Sequence, residues 1–218
     1  IFCVGRNYAA HAREMGANPE NEDPLFFRKS ATALTWSGRS GQQSQSSLAI
    51  PYPPGTSNFH HEVELVVALG EPCFQIAPTE ALNVVFGYTI GLDMTRRDLQ
   101  AAAKARCGPW AMAKDFEHSA IASALMPVED LVAHPTGGTI SLDVNGQRRQ
   151  EADLAEQIWT VDEIVARLSR YHVLGPGDLI FTGTPAGVGP VQTGDTLFGE
   201  IAGLGTISVT IVPAKPNA

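Results

Sequence analysis

The chain has 218 residues, 44% of them hydrophobic, which allows a sizeable core in one domain and excludes disorder. Its formal net charge of −8 disfavours a nucleic-acid partner, because phosphate contacts need a basic surface, yet leaves room for a small anionic substrate met by local cations or a metal. No apolar run approaches the ~18 residues of a membrane span, and Cys3, Cys73 and Cys107 are scattered without a CxxC spacing, against a disulfide scaffold or a thiolate metal site, so no membrane partner and a reducing cytoplasm are expected.

Because the first residue is Ile1 rather than Met, the natural N-terminus, and any targeting segment in it, is expected to precede this sequence. Residues 1–5 read as a short apolar strand, followed by a helix over residues 9–15 with Asn7 as its N-cap. Gly16 and the stretch 18–24, rich in Asn, Glu, Asp and Pro, break that helix; residues 25–27 form a second strand and residues 37–47 a polar loop or hairpin tip. The next strand covers residues 60–67. Residues 86–92 form another, ending at Asp93, and Thr95 and Asp98 have the spacing of a capping box for a helix running to Arg106 and stopped by Cys107-Gly108-Pro109.

Residues 139–144 alternate as a strand into the hairpin signal Asn145-Gly146, and residues 158–171 form an amphipathic helix with Ile164, Val165 and Leu168 inward. A turn at 175–178 enters the strand 179–181, the loop 182–189 follows, and two short strands close the chain. Many short strands, few helices and no regular βαβ alternation predict an α+β, sheet-rich single domain over residues 1–218, not a doubly wound sheet.

Glu62 and Glu64 stand two apart in a strand, so both carboxylates aim at one face while Val63, Leu65, Val67 and Leu69 line the other. Taken alone, such a pair also fits a half-exposed strand in water. With Asp93, placed at a strand end before a helix, it gives three hard oxygen donors, a set for Mg²⁺ or Mn²⁺, with Ca²⁺ a further candidate and zinc disfavoured. His11 and Glu14 share a helix face, where the carboxylate can orient the imidazole as a general base, or simply pair with it at the surface. Arg97 and Gln100 share another face, Arg97 being a candidate for holding substrate; Lys114 is a lone cation in an apolar stretch, with Asp115 as its ordinary partner. The backbone N–H groups and two hydroxyls of the 182–189 loop, which includes Gly183 and Thr184, can grip a carboxylate or simply make a tight turn.

Residues 5–15 (GRNYAAHAREM), 60–65 (HHEVEL), 92–100 (LDMTRRDLQ), 113–114 (AK) and 181–189 (FTGTPAGVG) resemble the fumarylacetoacetate hydrolase family, and within it the short acylpyruvate hydrolases. The resemblance implies a mixed β-sandwich roll of the family's C-terminal type, a homodimer, and a metal on Glu62, Glu64 and Asp93. It further implies a catalytic His11–Glu14 pair on a lid within residues 1–24, Gln100 and Lys114 at the reacting centre, and Thr184 at the substrate's carboxylate end. Arg96, where relatives often carry Ala, and Ser30, where Pro is common, depart from the pattern away from the triad.

The reaction expected is metal-dependent hydrolysis of a carbon–carbon bond in an acylpyruvate. Residues 94–98 and 145–150 resemble those of fumarylpyruvate hydrolases, which act in aromatic (gentisate) degradation. Arg6, Arg28, Lys29 and Arg96 are candidates for the far end of such a dicarboxylate. The rival is decarboxylation or tautomerisation of oxaloacetate, or of a related keto acid, at the same metal site; a non-enzymatic binding module would leave Lys114, Gln100 and His11–Glu14 as coincidence.

Overall fold

Short runs of β-branched and aromatic residues between turns fold into many short strands. In the computed structural model, which describes residues 1–16, 18, 23–38 and 47–214, the chain begins β1 (Phe2–Gly5), α1 (Ala9–Glu14), β2 (Leu25–Arg28), β3 (Leu34–Trp36), β4 (Leu48–Pro51), β5 (Phe59–His61) and β6 (Val63–Leu69). It continues α2 (Pro78–Ala81), β7 (Val85–Asp93), β8 (Thr95–Arg96), α3 (Arg97–Ala105), α4 (Ala111–Lys114), β9 (Ala120–Ala122) and β10 (Met126–Pro127). Last come β11 (Thr139–Val144), β12 (Gln147–Asp153), α5 (Val161–Ser169), β13 (Leu179–Phe181), β14 (Gly189–Val191), β15 (Thr196–Ile201) and β16 (Gly205–Val212). The expected break at 18–24 lies partly, and the polar segment 37–47 largely, outside the described residues.

Among the described residues there are three sheets. The eight-stranded one runs β2-β1-β13-β6-β7-β9-β3 with β10 beside β7, the five-stranded one β12-β11-β15-β16-β4, and the smallest β14-β5-β8. Pairing is mixed: β1 is parallel to β13 and β3 to β9, while β13, β6 and β7 are antiparallel. This is the α+β, sheet-rich roll expected. On β6 the side chains alternate as predicted. Val63, Leu65, Val67 and Leu69 join Ile90, Leu92, Ile140, Leu142, Leu197 and Ile207 in the core between the two large sheets. Val66 and Ala68 turn to the opposite face, against Cys3, Leu179 and Phe181.

Four local expectations are corrected. Residues 60–67 are two strands, since Glu62 falls in the break between β5 and β6. Asn7 does not cap α1: its side chain is fully buried, donating to the Thr182 and Trp159 carbonyls at 2.7 and 2.9 Å and accepting from the Trp159 N–H at 2.7 Å. Thr95 belongs to β8, and Asp98 accepts from Thr56 Oγ1 (2.6 Å) and the Ser57 N–H (3.0 Å), so their capping-box spacing ties α3 to the preceding loop instead. The amphipathic helix starts three residues later than predicted, at Val161, where Glu163 accepts from the N–H and hydroxyl of Thr160, both at 3.0 Å. Asn145-Gly146 does make the β11–β12 hairpin, with Asn145 at φ 52° as a type I′ turn requires.

At Gly91 of β7, the Val66 side chain of β6 and the Phe181 ring of β13 crowd against the backbone. Gly91 pairs with Glu64, and a Cβ there would lie 2.6 Å from Val66 Cγ2 and 2.8 Å from the Phe181 ring. Gly91→Ala should therefore destabilise the protein by about 1–3 kcal/mol, as overpacked cores do. A urea unfolding midpoint equal to that of the wild type would show that the sheet yields at no cost.

Candidate active site

The β6–β7 ladder creates the acidic cluster. Val63 pairs with Leu92 and Glu64 with Gly91, and the Asp93 N–H donates to the Glu62 carbonyl at 2.8 Å, so Asp93 lies opposite Glu62. Residues opposite each other project to the same side, as do residues two apart. One carboxylate oxygen from each of Glu62, Glu64 and Asp93 lies within 4.8 Å of the others, and all three residues are buried.

Three cations surround them. Lys114 Nζ stands 2.7 Å from Glu62 and 2.6 Å from Asp93. Lys29 Nζ approaches Asp93 Oδ1 at 2.8 Å and also donates to the Lys114 carbonyl. Arg97 pairs with Glu62, donates to Gln100 Oε1 at 2.6 Å and rests on His60 Nδ1 at 3.3 Å. Burial, and then the charge of Arg97, push the His60 imidazole down to about 4; it is neutral, so its Nδ1 can accept from Arg97 while Nε2 donates to Asn58. Gln100 spends its carbonyl on Arg97, which leaves its amide N–H groups directed to the cavity it lines. Lys114 is thus no snorkelling partner of Asp115, which instead accepts from Ser30 at 2.7 Å.

The carboxylates titrate apart. Burial alone would raise Glu62, but Lys114 and Arg97 outweigh it and hold that carboxyl well below the usual range. Glu64 is pushed well above it by burial and by the charges of Asp93 and Glu62. Asp93 Oδ1 has no hydrogen-bond donor even though Lys29 is in ion-pair contact, because that contact is poorly aligned. An under-satisfied buried oxygen beside a carboxyl that resists ionisation fits a hard divalent cation, held by Glu62, Glu64 and Asp93.

His11 lies on the wall of the same cavity as Glu62, Glu64, Arg97, Gln100, Lys114 and Thr184. Its Nδ1 is 3.0 Å from Glu14 Oε2, which leaves Nε2 for the cavity. Glu14 also takes a long hydrogen bond (3.3 Å) from the Gly187 N–H. The loop after β13 serves the carboxylates directly, since the Gly183 N–H donates to Glu64 Oε2 at 2.8 Å. Only glycine fits there: φ is 102°, and a Cβ would lie 2.6 Å from the Asn7 Cβ.

Of the proposed distal cations, Arg6 alone lines this cavity. Arg28 stacks on Phe2 at 5.2 Å, Arg96 on Phe116 at 4.1 Å, and Lys29 is spent on Asp93. One supporting residue escaped recognition by its chemistry. Gln150 is fully buried; its Oε1 accepts from His61 Nδ1 (2.9 Å) and the Val63 N–H (3.1 Å), and its Nε2 donates to Thr184 (2.8 Å) and the Pro185 carbonyl (2.9 Å). It braces both sides of Glu62 against the Thr184 loop. Its neighbours Gln147, Arg148 and Arg149 are exposed, so no periodicity marks it as inward.

A family model described as fumarylacetoacetate (FAA) hydrolase C-terminal matches residues 1–212. The chain belongs to the fumarylacetoacetate hydrolase family. It is 43% identical to a fumarylpyruvate hydrolase from Ralstonia sp over 194 residues, 89% of this chain and 95% of that protein. It is 39% identical to the oxaloacetate tautomerase YcgM of Escherichia coli (strain K12) over 197 residues, 90% of this chain and 85% of that one. The crystal structure of fumarylpyruvate hydrolase from Pseudomonas aeruginosa in complex with Mn²⁺ and pyruvate is similar at a TM-score of 0.92 and 48% identity, covering 97% of this chain and 88% of that one. No helix among the described residues is long and apolar enough to cross a membrane.

Gln150→Leu keeps the shape but strands the Val63 N–H, the Pro185 carbonyl, Thr184 and His61. It should cost about 2–4 kcal/mol and lower the thermal midpoint by roughly 4–16 °C. An unchanged midpoint by calorimetry would mean that these groups find other partners.

Proposed function

We propose that this protein hydrolyses the carbon–carbon bond of an acylpyruvate, with fumarylpyruvate, cleaved to fumarate and pyruvate in aromatic (gentisate) catabolism, as its substrate. The observation that carries this reading is the His11–Glu14 pair on the cavity of the acidic cluster, since hydrolysis needs a base for water as well as charge stabilisation. Mg²⁺ or Mn²⁺ on Glu62, Glu64 and Asp93 would supply positive charge to the keto-acid end. His11 Nε2 takes a proton from the water that adds to the distal carbonyl, with Glu14 holding the ring and its charge. The Gln100 amide and the third N–H of Lys114 stabilise the resulting oxyanion. The carbon–carbon bond then breaks towards the keto acid, releasing the acyl group as a carboxylate, and the pyruvate enolate takes a proton at carbon. Arg97 and the Thr184 hydroxyl hold the substrate's carboxylate, whereas the Gly183 N–H is spent on Glu64.

The alternative is a tautomerase or decarboxylase acting on oxaloacetate, supported by the 39% identity to an oxaloacetate tautomerase. It uses the same enolate but needs no nucleophilic water. Turnover of fumarylpyruvate, acetylpyruvate and oxaloacetate with Mn²⁺ and product analysis separates the two. Hydrolysis should lead, with fumarylpyruvate preferred, and His11→Ala should lower its kcat by ~10²–10⁴. Full activity of His11→Ala on the best substrate would favour the alternative.

The lid belongs to the same proposal. Helix α1 has only six residues and no side-chain cap, and a helix that short holds only through its contacts. It opens to admit substrate and closes to exclude water from the enolate. Amide hydrogen exchange of residues 8–15 should slow when oxalate and Mn²⁺ are added together, and equal protection with and without them would sink the gating. A homodimer in solution is part of this reading, and light scattering at the monomer mass of 23.2 kDa would count against it.

A further inference from the structure

The cavity carries a second group of cations away from the triad. Lys104 follows Gln100 by four residues and Arg97 by seven on α3, so the three share one face. Lys104 lies about 10 Å beyond Arg97 along the axis, at ~1.5 Å per residue. Side chains trace the path from the triad to it: the Phe27 ring is 5.0 Å from Lys114 Nζ, Trp110 is 6.0 Å from Phe27, and Lys104 Nζ is 5.2 Å from the Trp110 ring. Phe27, Trp110, Lys104 and Arg6 all line the cavity.

Lys29, Lys114 and Arg97 are each matched to a carboxylate. Lys104 is not: among the described residues its one contact of this kind is the Trp110 ring. Burial, with Arg6 and Arg97 near by, pushes its ammonium down to about 8. Cations that crowd one another across a cavity are relieved by an anion placed between them.

We propose that Lys104, with Arg6 beside it, forms a subsite for a second carboxylate at the far end of the substrate, and that Phe27 and Trp110 wall the unsaturated chain leading there. This rests on the acylpyruvate reading given above. Six carbon–carbon bonds separate the two carboxylate carbons of fumarylpyruvate, an extended span of roughly 7–8 Å at ~1.5 Å per bond. With its keto-acid end at the triad and the lysine's flexible stem reaching back, that span meets Lys104. In oxaloacetate three bonds separate the carboxylates, roughly 4 Å, too short to engage both ends. Acetylpyruvate ends in a methyl group and offers the subsite nothing.

The test is steady-state kinetics of the Mn²⁺-loaded wild type, Lys104→Met and Lys104→Arg on fumarylpyruvate and acetylpyruvate. Lys104→Met keeps the apolar stem of a half-exposed surface residue, so the fold is retained. It should lower the ratio of kcat/KM for fumarylpyruvate over acetylpyruvate by roughly 10- to 100-fold, the loss of one charge-assisted hydrogen bond. The change should lie mainly in KM, and Lys104→Arg should restore most of it. A wild type that cleaves acylpyruvates with a ratio Lys104→Met leaves unmoved overturns the subsite alone. A wild type that cleaves neither substrate overturns the acylpyruvate reading, and the subsite with it.

Discussion

Three carboxylates share one buried end of the β6–β7 ladder, and the arrangement of the site follows from their mutual repulsion. At 4.8 Å and an effective dielectric near 20, each like-charged pair opposes the fold by roughly 3–4 kcal/mol. Lys114, Lys29 and Arg97 answer with three positive charges, delivered from α4, from the residue after β2 and from α3. Buried ion pairs of this kind rarely add net stability, since desolvation consumes the Coulombic gain. Their return is functional. Glu62 is kept ionised by two of these cations, while Glu64 and the under-satisfied Asp93 oxygen leave the set open to a further cation.

The charge count explains why such a site suits an enolate. Around the triad itself three ionised carboxylates and three cations sum to zero, so a divalent ion held there would bring two net positive charges. A keto-acid carboxylate would neutralise one, and an enolate formed beside it would meet the other, the condition for binding a transition state better than the substrate. Hydrolysis and tautomerisation would share that enolate, so the cluster alone does not distinguish them; a role for His11 or for the far wall of the cavity would.

How much of this was legible in the sequence depended on whether the cause was local. The alternation of β6, the hairpin at Asn145-Gly146 and the His11–Glu14 spacing are fixed by periods of two or three residues, and all three hold in the fold. The Glu62–Glu64 pair was legible because i, i+2 geometry is local, whereas Asp93 joins it only through the β6–β7 ladder. Asn7 and the Thr95–Asp98 pair were misread because their motifs are local while their partners, Trp159, Thr182 and Thr56, come from elsewhere in the chain. Lys29, Gln150 and Lys104 carry no local mark; what each does is set by the element packed against it. Spacing finds the paired glutamates and the His11–Glu14 pair, and only the fold finds the groups that balance them.

The two halves of the site are therefore held in different ways. Glu64 and Asp93 sit on β6 and β7, strands paired on both sides, with Glu62 in the break just before β6, a rigid setting of the kind an octahedral cation such as Mg²⁺ requires. His11 sits on an uncapped six-residue helix tied at its start by Asn7 and by the Tyr8–Gln157 bridge, and near its end by the contact of Glu14 with Gly187. Both attachments converge on one region, because Gln157 and Asn7 also bond Thr182 and its carbonyl, next to the Gly183 that holds Glu64. The loop after β13 thus touches the metal-facing carboxylates and the base-bearing helix together. Its conformation, with Gly183 at φ 102° and Gly187 at φ 94°, therefore sets where α1 and His11 stand relative to the three carboxylates.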